Sequence, residues 1–284
     1  MGLEPETIRL AARLLRDRKL SGRAITFGVQ RVDASLPEAR ALLAAEGFPF
    51  REPSGAVLAR GQIHQDVLFE MLGFDAVESV DRYPDERPSR VLDLNEPIPD
   101  DMRERYDLVC DSGTLEHCFD VPQVLENVVR LLAWGGHVLH ATPISGWLQH
   151  AFYQISPNLY FDFYRANGFD ELGAKVFFDG RVVDLRDLTR RDFLGHKAQL
   201  VFVARKRESR AEIAIPIQSE YRAKYGGEEA LGFGDAADRI PDPGHRAIFD
   251  PRSLARDVAV IAKRYFRLAW SARVLPRAKP PADG

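Results

Sequence analysis

The period of apolar and polar positions changes repeatedly along the chain, and each change marks an element. Residues 1–20 set Ile8, Leu10, Ala11, Leu14 and Leu15 on one stripe and Arg9, Arg13, Arg16 and Arg18 on another, the pattern of an amphipathic helix with a solvated basic face. Gly22 resets the chain, and Arg23-Ala24-Ile25-Thr26-Phe27-Gly28 predicts a short buried strand closed by a glycine. Ser35 with Glu38 three residues on is a capping-box signature, with Pro37 in the first turn and Gly47 past the end, so a helix runs to Ala45. Residues 49–61 hold Pro49, Pro53, Gly55 and Gly61 and predict a loop. Gln65–Leu72 is a second periodic helix stopped by Gly73, and Ala76–Asp81 is a strand ending in an acid.

The alternation continues with strands at Arg90–Leu94 and Tyr106–Cys110, joined by a connection over 97–105. Asp120 and Gln123 open a helix in which Leu125, Val128, Val129 and Leu132 recur at helical spacing, and Gly135-Gly136 ends it. His137–Thr142 is the fifth strand, stopped by Pro143. Residues 146–170 are aromatic and irregular, and Ala174–Phe178 and Gln199–Ala204 predict two last strands. Strands alternating with helices from residue 23 onward predict an α/β chain: a mostly parallel, twisted sheet of about seven strands with helices on both faces. This domain covers 1–207; residues 208–284 form a loop-rich extension with one helix over 251–270.

Composition narrows the function classes. Lys and Arg number 39 against 42 Asp and Glu, a net charge of −3 that argues against a nucleic-acid partner. No apolar run approaches the length of a membrane span, and residues 1–20 lack the apolar centre of a secretory signal. Cys110 and Cys118 are the only cysteines and lack metal-ligand spacing, so a reducing, cytoplasmic setting is expected. The oligomeric state is open, a homodimer included.

In an open parallel sheet, ligands bind at the carboxyl ends of the strands where strand order reverses. The candidates are therefore Gly28 and Gln30 after the first strand, Asp81 after the second, Asp93 and Leu94 after the third, and Asp111, Ser112 and Gly113 after the fourth. Asp81 suits the hydroxyls of an adenosine ribose, although a lone strand-end acid can equally cap a turn.

The run Tyr106-Asp107-Leu108-Val109-Cys110-Asp111-Ser112-Gly113-Thr114-Leu115-Glu116-His117, the amphipathic helix after it and the turn Gly135-Gly136 into the next strand resemble the class I S-adenosylmethionine-dependent methyltransferases. The resemblance spans roughly residues 20–207, with Gln199–Ala204 similar to that family's antiparallel last strand. It implies a Rossmann-like methyltransferase fold, S-adenosylmethionine as cofactor and methyl transfer to a small-molecule or glycan-linked acceptor, at oxygen. The family's Gly-x-Gly-x-Gly turn is reduced here to Gly28. Gly28-Val29-Gln30, Asp93-Leu94-Asn95 and Gly113 to His117 are similar to a divergent branch carrying Gly-x-Gln, Asp-Leu-Asn and Gly-Thr-Leu-Glu-His. On that likeness Gln30 supplies polar contacts that backbone groups would otherwise make. A dehydrogenase, which can use the same sheet, is opposed by the missing Gly-x-Gly-x-x-Gly.

A hydroxyl acceptor needs a base, and His117 or His150 could reach it, whereas His137 and His140 lie within a strand and suit structural roles. Some quinone O-methyltransferases of the family place Glu-x-x-Glu-His around a divalent cation; the first carboxylate is Gly113 here, so no metal is expected. The aromatics among Gln149, His150, Gln154 and Asn158 either line an acceptor pocket or seal the end of the sheet. A non-catalytic relative, keeping the fold as a binding or scaffold module, is the alternative.

Overall fold

The computed structural model describes residues 2–54, 58–59, 61–178, 180–185 and 197–226; the helix expected over 251–270 lies outside the described residues. Helix α1 (Pro5–Leu15) begins at a proline and buries Thr7, Ile8, Leu10, Ala11, Ala12 and Leu15. Strand β1 (Arg23–Phe27) follows, then α2 (Leu36–Ala45), where the Glu38 carboxylate accepts from both Ser35 N (2.8 Å) and Ser35 Oγ (2.6 Å). The basic face of α1 is not wholly solvated: Arg9 and Arg13 pair at 3.2 and 2.7 Å with Glu46, a buried carboxylate that needs these charges to be tolerated.

The expected loop over 49–61 contains part of a small hairpin, β2 (Leu58–Ala59) with β3 (Gln62–Ile63). Helix α3 (Gln65–Met71), strand β4 (Ala76–Asp81), the two-residue strand β5 (Arg90–Val91) and strand β6 (Tyr106–Ser112) lead to helix α4 (Val121–Leu131), whose amino end is capped by Asp120 Oδ1 accepting from Gln123 N at 3.1 Å.

Strand β7 (Leu132–Ser145) is longer than expected and runs through both the glycine pair and Pro143. Its pairing with β6 ends at Ala141, so Pro143 has a strand neighbour on one side only and its missing N–H breaks no ladder. The aromatic stretch expected to be irregular contains helix α5 (Pro157–Ala166), with Ser156 at its N-cap and Pro157 in its first turn. Strands β8 (Phe169–Phe178), β9 (Arg181–Asp184) and β10 (Ala198–Lys206) complete the sheet; β9 was not expected. Past β10 the described chain carries the exposed helix α6 (Ser219–Gly226).

Eight strands lie in the order β5-β4-β1-β6-β7-β10-β8-β9. Strands β5, β4, β1, β6 and β7 are parallel, and β10 is antiparallel to both of its neighbours. The fold is thus α/β, mostly parallel, with the antiparallel strand that the resemblance predicted. Alternation along the strands sends Ile25, Phe27, Val109, Val138, Leu200 and Phe202 to one face under α4 and α5, and Ala24, Leu108, Cys110, Leu139, Val201 and Val203 to the other under α1, α2 and α3. Both faces are covered, which is why these strands read as continuous apolar runs.

Candidate functional site

The chain leaves β1 toward β4 and β5, then returns to place β6 on the other side of β1, so the reversal of strand order lies between the carboxyl ends of β1 and β6. Gly28 sits there with φ +75°, a left-handed conformation that a side chain disfavours. A Cβ at this position would lie 3.3 Å from Thr114 Oγ1, 3.7 Å from Asp81 Oδ2 and 3.7 Å from Gln30 Nε2. Three polar side chains from β4 and the two crevice loops therefore converge on one bare backbone segment.

Each of those groups is held in place. Gly28 N donates to Val80 O (2.7 Å) and Thr114 Oγ1 to Phe27 O (2.7 Å), lacing β1 to β4 and to the loop after β6. Asp81 Oδ1 accepts from Tyr83 N at 2.9 Å, while Oδ2 faces Gly28. Gln30 is buried; its Nε2 donates to Phe27 O (2.6 Å), its backbone N donates to Gln65 Oε1 (2.6 Å), and its Oε1 has no hydrogen-bond partner among the described residues. Gln65, at the start of α3, had no sequence signal because its partner lies 35 residues away.

The loop after β5 is organised by its own residues. Asp93 Oδ1 accepts from Asn95 N and Nδ2 at 3.0 and 2.7 Å, and Oδ2 pairs with Arg82. Leu94 is buried, and its carbonyl accepts from Asn127 Nδ2 of α4 at 3.0 Å.

At the end of β6, Asp111 is fully buried. Its Oδ1 accepts from Thr114 N (3.0 Å) and Leu115 N (3.1 Å), and its Oδ2 lies 2.7 Å from His140 Nδ1, whose Nε2 lies 2.5 Å from Tyr164 OH. Register puts Asp111 directly beside His140 across β6 and β7. Ser112 Oγ donates to Gly2 O at 3.1 Å as the amino-terminal segment crosses this edge. Both side chains, expected at the cofactor, are thus engaged within the fold: Asp111 shapes the turn that carries Gly113 (φ +89°) and the Leu-Glu-His segment.

That segment forms a short 3-10 turn, Leu115–His117, and brings two expected residues together with one that was not singled out. Glu116 is fully buried and neither carboxylate oxygen has a hydrogen-bond partner among the described residues. Burial, then the neighbouring Asp111 charge, pushes its pKa up to about 8. His150 Nε2 stands 4.0 Å from Glu116 Oε1, and the His117 and His150 rings are 5.0 Å apart. Partial desolvation lowers the pKa of both imidazoles, and His150 lowers that of His117 further. Trp147 packs 5.1 Å from His150, and Tyr153 N donates to Glu116 O at 3.2 Å, so part of the aromatic stretch flanks this cluster. Tyr160 and Phe161 are buried on α5 and seal the sheet instead.

His137 lies within β7, directly after the glycine pair, and is paired in register with Arg205 of β10. Burial and then the Arg18 and Arg205 charges push its pKa down to about 4, which keeps it neutral.

No family model and no curated protein matches the chain. Solved structures do resemble it. The YcgJ protein of Bacillus subtilis is 10% identical over 72% of this chain and 99% of its own, with a TM-score of 0.42. The Haemonchus contortus phosphoethanolamine N-methyltransferase 2, in complex with phosphomonomethylethanolamine and S-adenosylhomocysteine, is 15% identical over 70% of this chain, with a TM-score of 0.39; the chain spans 52% of that protein. The N-methyltransferase NodS of Bradyrhizobium japonicum is 12% identical over 72% of this chain and 96% of its own, with a TM-score of 0.40. At such identities and TM-scores these likenesses carry no argument about what this chain binds. No helix among the described residues is long and apolar enough to cross a membrane.

Proposed function

We propose that the chain is an S-adenosylmethionine-dependent methyltransferase acting at oxygen on a small-molecule or glycan-linked acceptor. The observation that carries this reading is the edge between β1 and β6, where the bare backbone of Gly28 faces the Asp81 carboxylate, Thr114 and Gln30 at the reversal of strand order. In this reading Asp81 accepts the ribose hydroxyls, Gln30 Oε1 takes a polar group of the cofactor, and Asp93 and Leu94 border the base. Helix α2 begins only at Leu36, eight residues past Gly28, so the helix that follows β1 does not present its amino terminus to the glycine turn. A pyrophosphate needs such a terminus and a sulfonium nucleoside does not, which favours S-adenosylmethionine over a dinucleotide.

Methyl transfer is an in-line displacement in which the acceptor oxygen forms a bond to the methyl carbon as the carbon–sulfur bond breaks. Holding the two partners aligned contributes up to roughly 7–11 kcal/mol. The acceptor sits beside Glu116, His117 and His150, where His117 or His150 takes the hydroxyl proton, a step worth about 10²–10⁴-fold in rate. Calorimetry of the full chain with S-adenosylmethionine and S-adenosylhomocysteine tests the reading: both bind, and NAD does not. Binding of NAD alone, or of none of the three, rejects it.

One observation favours the non-catalytic alternative. Asp111, Ser112 and Gln30 Nε2 are all engaged by the protein itself. A scaffold of this kind would bind S-adenosylhomocysteine and transfer no methyl group to any hydroxylated acceptor.

A further inference from the structure

A fully buried carboxyl group with neither oxygen hydrogen-bonded among the described residues is an anomaly in a folded chain, because buried polar groups are tolerated only when hydrogen-bonded, paired or bound to a cation. Glu116 is that anomaly. What faces it is a third atom without a hydrogen-bond partner among the described residues, His150 Nε2, 4.0 Å from Oε1. His117 completes the group, and one donor atom from each of the three residues lies within 4.8 Å of the other two. We infer that Glu116, His117 and His150 form a binding site for a divalent first-row transition cation.

The donor set selects the class of ion. Two imidazoles and one carboxylate suit zinc, cobalt, nickel or iron(II), whereas magnesium and calcium favour sites built from oxygen. Tetrahedral bonds of about 2.0–2.2 Å hold donors roughly 3.3–3.6 Å apart, a contraction that rotation of the two imidazoles can supply, since His117 is exposed and His150 partly so. Glu116 cannot move as freely: its carbonyl is held by Tyr153 N, and its turn by the Asp111 carboxylate. The exposure of His117 leaves a further position open to solvent, the arrangement of a site that also takes a substrate oxygen. Sequence spacing argued against a metal because position 113 is glycine; the third donor comes instead from the loop after β7. Glu116, His117 and His150 would hold the cation, which would supply Lewis-acid activation of an acceptor oxygen; the role of proton acceptor given above to His117 or His150 belongs to the cation-free site. Cation binding does not depend on the methyltransferase reading.

The test is a titration of the untagged, chelator-treated full chain with cobalt(II) chloride, followed by visible d–d absorption. One equivalent is taken up per chain, zinc(II) displaces it and magnesium(II) does not. Glu116→Gln and His150→Ala each weaken uptake by more than about 100-fold, beyond what loss of a merely supporting group costs. His117→Ala, which removes an exposed ring, does the same if the buried substitutions fail to fold, and His64→Ala at the start of α3 leaves uptake unchanged. Absence of saturable uptake, uptake unchanged in Glu116→Gln and His150→Ala, or equal loss in His64→Ala overturns the proposal.

Discussion

Asp81 offers the sharpest test of the crevice, because its two oxygens have separable roles. Oδ1 closes a turn by accepting from Tyr83 N at 2.9 Å, and Oδ2 faces Gly28, 3.7 Å from where a Cβ would stand. If a ribose lies there, its hydroxyls donate to a carboxylate, and charged hydrogen bonds of this kind are worth about 1.5–3 kcal/mol. Replacing Asp81 by Asn keeps an acceptor for Tyr83 N and removes the charge, so the turn survives while S-adenosylmethionine binds roughly 10- to 150-fold more weakly. Asp81→Ala removes both functions and adds a loss of stability of about 0.5–1.5 kcal/mol from the broken turn. Isothermal calorimetry gives the affinities and thermal unfolding the stabilities. Parent-like affinity in Asp81→Asn would refute the ribose assignment and leave Asp81 as a turn former.

Three further outcomes follow from the same contacts. Gly28→Ala forces a side chain into the left-handed region at about 1–2 kcal/mol and puts a methyl 3.3 Å from Thr114 Oγ1; melting falls by a few degrees and cofactor affinity is lost outright, as read by calorimetry. His137 has a folded pKa of about 4 against 6.5 in the unfolded chain, so the unfolded chain binds the proton first. The stability from its neutral burial is complete above pH 6.5 and is lost as pH falls toward 4, by about 3 kcal/mol; denaturant unfolding at pH 7 and 4.5 shows a smaller difference in His137→Gln than in the parent. Asp111→Ala leaves Thr114 N, Leu115 N and His140 Nδ1 without their acceptor and destabilises the chain by about 3–5 kcal/mol, measured by urea unfolding; a loss below 1 kcal/mol would show that the buried cluster contributes little.

Element type was legible wherever local signals agreed: Ser35 with Glu38, Asp120 with Gln123, and the apolar runs of β1, β4 and β6 all reappear as elements of the type read, because capping and periodicity act within a few residues, although α4 ends at Leu131 rather than at the glycine pair and β6 runs on to Ser112. Strand alternation also made the parallel sheet, and with it the carboxyl edge, readable in advance. The misses share one cause. Pro143 lies inside a strand because β6 has already ended beside it, and β5 is only two residues long, facts of neighbouring strands rather than of local sequence. The aromatic run of α5 defied periodic reading because Tyr160, Phe161, Phe163 and Tyr164 are buried around much of the helix, where Tyr160 stacks on Phe202 of β10 and Phe161 meets the same ring edge-on. The site divides the same way. Gly28, Asp81, His117 and His150 could be named from their strand ends, but only packing decided that Asp111 would serve His140, that Ser112 would bond Gly2, and that Glu116 would be buried against His150. Local physics selects a residue's conformation; which polar atoms remain free is settled by every element that folds over them.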